Sequence, residues 1–185
     1  MYRLKIFSGL VRELSRTTEF PLEQYPPMVE AMTTIDARLK DLGITLPAAP
    51  VPVASYVPYV QSGALVFISG QVTLDAGAIQ FVGKIGREIS LEDGKAAARL
   101  CALNVLAQLK SACGGDLSRV RRAVKVTVFV NATADFTQHP EVANGASDLF
   151  VAVLGEAGKH ARAAVGAPSL PRGVATEVDA IFEIS

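Results

Sequence analysis

In the segment from Arg122 to Val130, hydrophobic and polar residues alternate along the chain. This period of two is the spacing of a β-strand that buries one face. The face predicted to be buried carries four valines: Val124, Val126, Val128 and Val130. The other face is mixed in character and suits a second, partly wet interface.

Five further runs of β-forming residues predict strands. Residues 56–61 and 64–72 are separated by Ser62-Gly63, which predicts a hairpin, and a short run follows at 79–82. The end of the chain, 160–185, contains two more strand-like runs joined by a turn rich in proline and glycine. The chain therefore carries enough strands for one sheet.

Two main helices are predicted among these strands. Ser90 and Asp93 form a capping-box pattern that opens the longer helix, Leu91 to Ala112. This helix is apolar around most of its circumference, so we expect it to pack on more than one side. Pro140 suits the first turn of the second helix, Glu141 to Leu154.

The order of these elements predicts an α+β fold in which both main helices cover one face of a single sheet. The opposite face also needs cover. Half of the residues are hydrophobic, only 19% are charged and the mean hydropathy is +0.31. These values favour self-association, because an oligomer buries apolar surface that a monomer exposes to water.

Residues 32–185 are predicted to form one domain, which begins with a short helix, Ile35 to Leu42, capped by Thr33 or Thr34, and a proline-rich connector within 32–55. Residues 1–31 are expected to be an N-terminal extension. Their first acid is Glu13, so they resemble an amphipathic transit peptide. The other interpretation is a non-native or upstream-start extension.

Charge and cysteine content exclude several classes of function. The chain has 18 basic and 18 acidic residues, so nothing in its overall charge indicates nucleic acid as a partner. It has no apolar run near the roughly 18 residues that span a bilayer. Cys101 and Cys113 are predicted to be buried thiols in a reducing, cytoplasmic compartment. No spacing of His and Cys indicates a metal site.

Arg162 and Glu177 are charged residues in strand-like runs where a buried strand would be apolar. A guanidinium stays charged inside a protein, so Arg162 needs an anion or well-placed carbonyl groups. One interpretation is a structural ion pair with Glu177 or Asp179. The other is a clamp for a small carboxylate, with a partly desolvated acid that shuttles a proton to or from water.

Other candidate residues have weaker support. Ser69 and Gly70 offer a hydroxyl and an accessible backbone for a ligand, or else simply end a strand. No base lies at a recognisable spacing from Ser69, so the sequence does not indicate a serine nucleophile. The two histidines, His139 and His160, are expected to be structural.

Several segments in order resemble one family, the RidA family, also called the YjgF or L-PSP endoribonuclease family. The resemblance runs from about Tyr56 to the C-terminus. Its segments are Pro58-Tyr-Val-Gln61, Ile68-Ser-Gly-Gln71, Val124-Lys-Val-Thr-Val-Phe-Val130, Ala143-Asn144, Ala161-Arg162 and Thr176-Glu177-Val-Asp-Ala-Ile181.

The resemblance implies a chorismate-mutase-like fold of the Bacillus type and a homotrimer with sites in the clefts between subunits. It implies hydrolysis of reactive 2-imino or 2-aminoacrylate intermediates to 2-keto acids and ammonia, without a cofactor. Arg162 falls on the carboxylate-binding arginine and Glu177 on the acid that positions or activates water. The matching also assigns substrate-binding positions: Tyr59, Ser69, Gly70, Asn144 and Ala164.

The chain departs from the best-known members in a short loop between Gln61 and Ile68 and in one further segment. They have Arg-Ser-Cys where this chain has Arg162-Ala163-Ala164, so at Ala164 only backbone groups could contact a ligand. This leaves a second interpretation, a trimer that binds small keto acids without turnover. We further expect Arg162 and Glu177 on adjacent strands of one subunit, with Tyr59 or Asn144 reaching the cleft from its neighbour.

Overall fold

The structure is a computed structural model that describes residues 34–50 and 55–185. The predicted extension 1–31, the alternative cap Thr33 and part of the predicted connector therefore lie outside the described residues. The first helix, α1, spans Ile35–Asp41, and the Thr34 hydroxyl accepts a hydrogen bond from the backbone N–H of Ala37 at 3.2 Å. The predicted cap at Thr34 is confirmed.

Among the described residues, five strands form one sheet in the spatial order β1-β2-β7-β5-β6. All neighbours are antiparallel except β5 and β6, which are parallel. A separate ribbon pairs β3 with β4. The strands are β1 Tyr59–Ser62, β2 Leu65–Val72, β3 Leu74–Asp75, β4 Ala78–Ile79, β5 Val120–Asn131, β6 Ala161–Ala167 and β7 Thr176–Ile184.

The two main helices, α2 at Leu91–Ala112 and α3 at His139–Leu154, pack on the sheet and on each other. Helix α2 contacts β2 and β7 on one side and α3 on another, which confirms that it packs on more than one side. The helices cross closely at Gly145, where a Cβ would lie 2.0 Å from the backbone oxygen of Lys95. The predicted α+β fold is confirmed.

The core lies between these helices and one face of the sheet. Strand β7 shows the division most clearly, because its residues alternate between buried and half-exposed positions. Phe182 faces the core and packs edge to face on Phe150 of α3, with ring centroids 5.7 Å apart. The other face of the sheet, called the outer face here, exposes apolar residues: Val60, Phe67 and Val165.

Two local predictions were wrong. Val124 does not share the buried face with the later valines, because a β-bulge between Ala123 and Lys125 inserts one residue and reverses the alternation. Ala123 is buried in its place. The run at 79–82 is a strand only at its start, because Phe81 has a φ of 50° and leaves the extended conformation.

Candidate active site

Glu177 lies on β7 and faces the outer side of the sheet, beside a bulge in the neighbouring strand β2. At this bulge two residues, Ser69 and Gly70, stand opposite the single residue Asp179. The Glu177 carboxyl group is half-buried. Burial raises its pKa, and repulsion from Asp179 raises it further. A carboxyl group with a raised pKa is suited to passing protons near neutral pH.

Gly70 gives the Glu177 side chain its position. A Cβ at position 70 would lie 1.9 Å from Glu177 Oε1 and 2.8 Å from its Cδ. Any larger residue would therefore push the carboxylate aside. The sequence predicted that Gly70 allows close approach of a ligand, whereas the group that approaches it in the structure is the side chain of Glu177.

A cavity of about 260 Å³ opens beside Glu177 and Gly70. Tyr56, Pro58 and Arg172 also line it. Arg172 has a φ of 59°, which is a left-handed conformation that non-glycine residues adopt at a free-energy cost. The cavity thus combines an acid, a cation and a phenol group.

Arg162 lies on β6 and is held from helix α3. Its Nη1 donates hydrogen bonds to Asn144 Oδ1 at 2.8 Å and to Ser147 Oγ at 3.1 Å. Both acceptors are neutral, and Arg162 is exposed. Within residues 34–50 and 55–185 Arg162 forms no ion pair, so the interpretation as a structural ion pair with Glu177 or Asp179 is wrong for the single chain.

His160 extends this network behind Ser147. Its Nε2 lies 3.1 Å from Ser147 Oγ, and its Nδ1 lies 2.6 Å from the backbone oxygen of Gly158. The ring packs edge to face on Phe150, with centroids 5.9 Å apart. Burial lowers the pKa of His160, and the charge of Arg162 lowers it further, although the bond to Gly158 opposes both.

Arg162 and Glu177 are not on adjacent strands, and that prediction was wrong. Strand β5 lies between β6 and β7. Arg162 pairs with Val126, whose side chain is buried under the helices, so Arg162 starts from the helix-covered side. Glu177 starts from the outer face. Two strand spacings of roughly 4.8 Å each separate the two strands, and the two side chains leave opposite faces of the sheet.

The remaining predicted positions divide between these two groups. Asn144 contacts Arg162, and Ala164 lies two residues further along β6 on the same face. Ser69 is occupied by structural bonds, because its Oγ donates to the Val57 backbone oxygen at 2.8 Å. Tyr59 pairs with Ile68 and packs against the core, whereas Tyr56 is the tyrosine that lines the cavity.

Four residues of these two groups escaped prediction: Tyr56, Ser147, His160 and Arg172. The spacing of Asn144 and Ser147, three residues apart on one helix, places both on one face and could have indicated Ser147. Nothing in the local pattern separates Tyr56 from Tyr59. Among the described residues, no group of three His, Cys, Asp or Glu side chains could hold a metal ion, and no helix has the length and apolar character to cross a membrane.

Comparison with known protein families identifies the class. A profile described as YjgF/chorismate mutase-like, putative endoribonuclease, matches residues 36–183. The chain belongs to this family, as its sequence resemblance indicated.

The sequences of individual relatives align with most of this chain. Protein TCP17 of Trypanosoma cruzi is 48% identical over 158 residues, which cover 85% of this chain and 98% of that protein. A 2-iminobutanoate/2-iminopropanoate deaminase of Dermatophagoides farinae is 25% identical over 142 residues, which cover 76% of this chain and 94% of the deaminase.

Solved structures share the fold. A protein of unknown function from Agrobacterium tumefaciens superposes with a TM-score of 0.77 at 47% identity, covering 82% of this chain and 94% of that one. Escherichia coli TdcF with bound serine superposes with a TM-score of 0.55 at 27% identity, covering 74% of this chain and 94% of TdcF.

Proposed function

We propose that this protein hydrolyses small 2-imino acids, formed directly or from 2-aminoacrylate, to 2-keto acids and ammonia. The observation that carries the proposal is the state of Arg162, an exposed guanidinium whose hydrogen-bond partners are neutral. Asn144 and Ser147 hold only one of its nitrogens, Nη1. The rest of the planar group is suited to two-point binding of a small carboxylate.

Two relatives support this class of substrate. The mite relative is a 2-iminobutanoate/2-iminopropanoate deaminase, and TdcF binds serine, a small amino acid with a free carboxylate. The deaminase aligns with 76% of this chain, and TdcF superposes on 74% of it. The overall charge, with 18 basic and 18 acidic residues, does not favour nucleic acid as a partner. Its two buried, unpaired cysteines support a cytoplasmic location, which stays a prediction.

We further propose that the site is assembled in a homotrimer. Strand β6 is an edge strand, so Arg162 is open to approach by another subunit. Glu177 and its cavity belong to the outer face, whose exposed Phe67 and Val165 favour contact with a second copy. In this arrangement one subunit supplies Arg162 and Asn144, and its neighbour supplies Glu177 and Gly70.

The proposed reaction uses these groups in sequence. Arg162 holds the carboxylate of the imino acid and fixes the imine carbon. A water near Glu177 attacks that carbon, and Glu177 passes a proton towards the nitrogen that leaves as ammonia. The imine is already electrophilic, so the reaction proceeds without a cofactor. A carboxyl group that keeps its proton to a higher pH than usual is the better donor in this step.

The test is ammonia release from freshly generated 2-iminopropionate, measured above the spontaneous rate. Wild-type protein is expected to accelerate it, and Arg162→Ala is expected to return it to the spontaneous rate. Equal rates for the two proteins would contradict the proposal.

The alternative function is binding of a keto acid without turnover. It is favoured by the absence of side-chain hydroxyl and thiol groups at Ala163 and Ala164. A thermal-shift titration with pyruvate separates the two functions. A pure binder shows a shift that depends on Arg162 and leaves the rate of imine hydrolysis at its spontaneous value.

A further inference from the structure

A chain of two hydrogen bonds, each donated in the same direction, runs from Ser147 through His160 to Gly158. The Gly158 carbonyl oxygen can only accept, so the nitrogen 2.6 Å from it, His160 Nδ1, carries the ring proton. Nε2 of the neutral ring is then an acceptor. Ser147 Oγ, at 3.1 Å, donates its hydroxyl proton to that nitrogen. The hydroxyl proton of Ser147 therefore already points to a base, the Nε2 atom of His160.

Arg162 reaches the same oxygen from the other side. Its Nη1 donates to Ser147 Oγ at 3.1 Å. A hydroxyl that donates a hydrogen bond to an imidazole and accepts a hydrogen bond from a cation is polarised towards proton transfer. The oxygen has two lone pairs, and Arg162 occupies one of them. The second is left for a water molecule or a substrate group bound at Arg162.

The surroundings of His160 favour the neutral form of the imidazole. The ring packs edge to face on Phe150 of α3, and burial lowers its pKa. Arg162 is close enough to lower the pKa of the ring, and Lys159, Arg122 of β5 and Glu183 of β7 line a surface cavity together with His160. The positive charge of Arg162 also disfavours an imidazolium.

We propose that Ser147 and His160 are a second proton-transfer pair of the active site and accept the proton of the attacking water. The inference rests on the proposed function. The pair supplies a hydroxyl group and a base on the Arg162 side of the cleft, where the residues that follow Arg162 carry only methyl groups.

The proton balance of imine hydrolysis closes with two carriers. When the water oxygen bonds to the imine carbon, one water proton moves to Ser147 Oγ as the serine proton moves to His160 Nε2. The electrons of the C=N bond move to nitrogen, which takes a proton from Glu177. In the second step the new hydroxyl group gives its proton to Glu177, and His160 returns its proton through Ser147 to the amino group. The C–N bond breaks, a 2-keto acid and ammonia leave, and both carriers regain their first state.

The test replaces each carrier and measures kcat and KM for imine hydrolysis separately. Removal of general acid–base groups lowers rates by about 10²-fold or more. We therefore expect kcat to fall by about 10²-fold in His160→Ala and in Ser147→Ala, with KM within about threefold of wild type. The matched control is His139→Ala, which replaces the second histidine of the chain, and its kcat is expected to equal that of wild type.

Two readouts separate proton transfer from a structural role. Added imidazole is expected to restore part of the activity of His160→Ala and none of that of Glu177→Gln. In wild type, kcat is expected to fall at acid pH as the imidazole is protonated, and His160→Gln is expected to lose that acid limb. The histidine-to-glutamine variant keeps a polar group in place if the alanine variant does not fold.

Three results would overturn the pair's role. The first is an unchanged kcat in both His160 variants. The second is an effect confined to KM, which would mean that the pair only supports Arg162. The third is an acid limb of the pH profile that persists in His160→Gln. In each of these cases wild type is active and the proposed function stands. Absence of turnover in wild type would instead refute the proposed function, and the proton-transfer pair with it.

Discussion

Arg162 and Glu177 project from opposite faces of one sheet, with strand β5 between their strands. Both are placed by specific local features, Arg162 by two acceptors on α3 and Glu177 by the room that Gly70 leaves. The cavity beside Glu177 is not lined by Arg162 of the same chain. The geometry therefore makes a site shared between subunits the simplest arrangement that uses both.

Gly70→Ala tests whether Gly70 positions the acid. The added methyl group would meet the end of the Glu177 side chain, which is flexible and can move away. Stability is therefore expected to stay within about 1 kcal/mol of wild type, while misplacement of the acid lowers kcat by about 10-fold or more. Unfolding in urea and steady-state kinetics measure the two effects.

A double variant checks the cause of that loss. In a Glu177→Gln background, Gly70→Ala is expected to add little further loss, because the two changes act on one group. Fully additive losses would show that Gly70 acts independently of Glu177.

Arg162→Lys tests two-point binding of the carboxylate. Lysine keeps the charge and loses the planar fork, so the dissociation constant for pyruvate is expected to rise by about tenfold or more. Calorimetric titration measures it, and Arg121→Lys, at an exposed position near the start of β5, is the matched control. Equal affinity in Arg162→Lys and wild type would mean that charge alone holds the ligand.

The raised pKa of Glu177 predicts a pH-dependent stability difference. The folded protein holds this proton more tightly than the unfolded chain, so the favourable contribution is complete below the unfolded pKa and is lost as pH rises through the folded pKa. Glu177→Gln, which cannot ionise, is therefore expected to melt at a higher temperature than wild type at about pH 8 and to approach wild type at about pH 4. A difference that does not change with pH would contradict the assignment.

The cysteines are expected to be unreactive in the folded protein. Burial raises the pKa of Cys101 to about 12 and also raises that of Cys113. Thiolates rather than thiols react with alkylating agents. Neither cysteine should be modified by iodoacetamide at neutral pH until the protein unfolds, and mass spectrometry of the alkylated protein measures this. Rapid native labelling of Cys101 would show that it is accessible.

The elements with strong local signals were predictable from the sequence. Helix α2 begins after Ser90, whose side chain accepts from the Asp93 N–H at 3.0 Å, and both of its ends agree with the prediction. Strand β7 alternates between buried and half-exposed residues along its whole length, because no bulge interrupts its own spacing. In β5 the same reasoning failed at Val124, since a bulge depends on the partner strand and leaves no mark in the period.

Only some contacts of the predicted residues could be anticipated from the sequence, and their arrangement could not. Arg162, Asn144, Glu177 and Gly70 all take part in specific contacts. Their division into two groups follows from topology. The β5–α3–β6 unit pairs β6 with β5 in parallel, and β7 pairs on the other side of β5, between β5 and β2. Closeness of β6 and β7 in the sequence wrongly indicated that they are neighbours.

The most direct test of the shared site mixes two inactive variants. Arg162→Ala and Glu177→Gln are each expressed and purified alone as references. In a separate preparation the two variants are co-expressed in equal amounts, so that mixed oligomers form. If each site takes Arg162 from one subunit and Glu177 from the next, random assembly of trimers restores about a quarter of wild-type imine hydrolysis. If both residues act within one subunit, every site in the mixture lacks one of them, and activity that stays at the level of the separate variants would contradict the shared site.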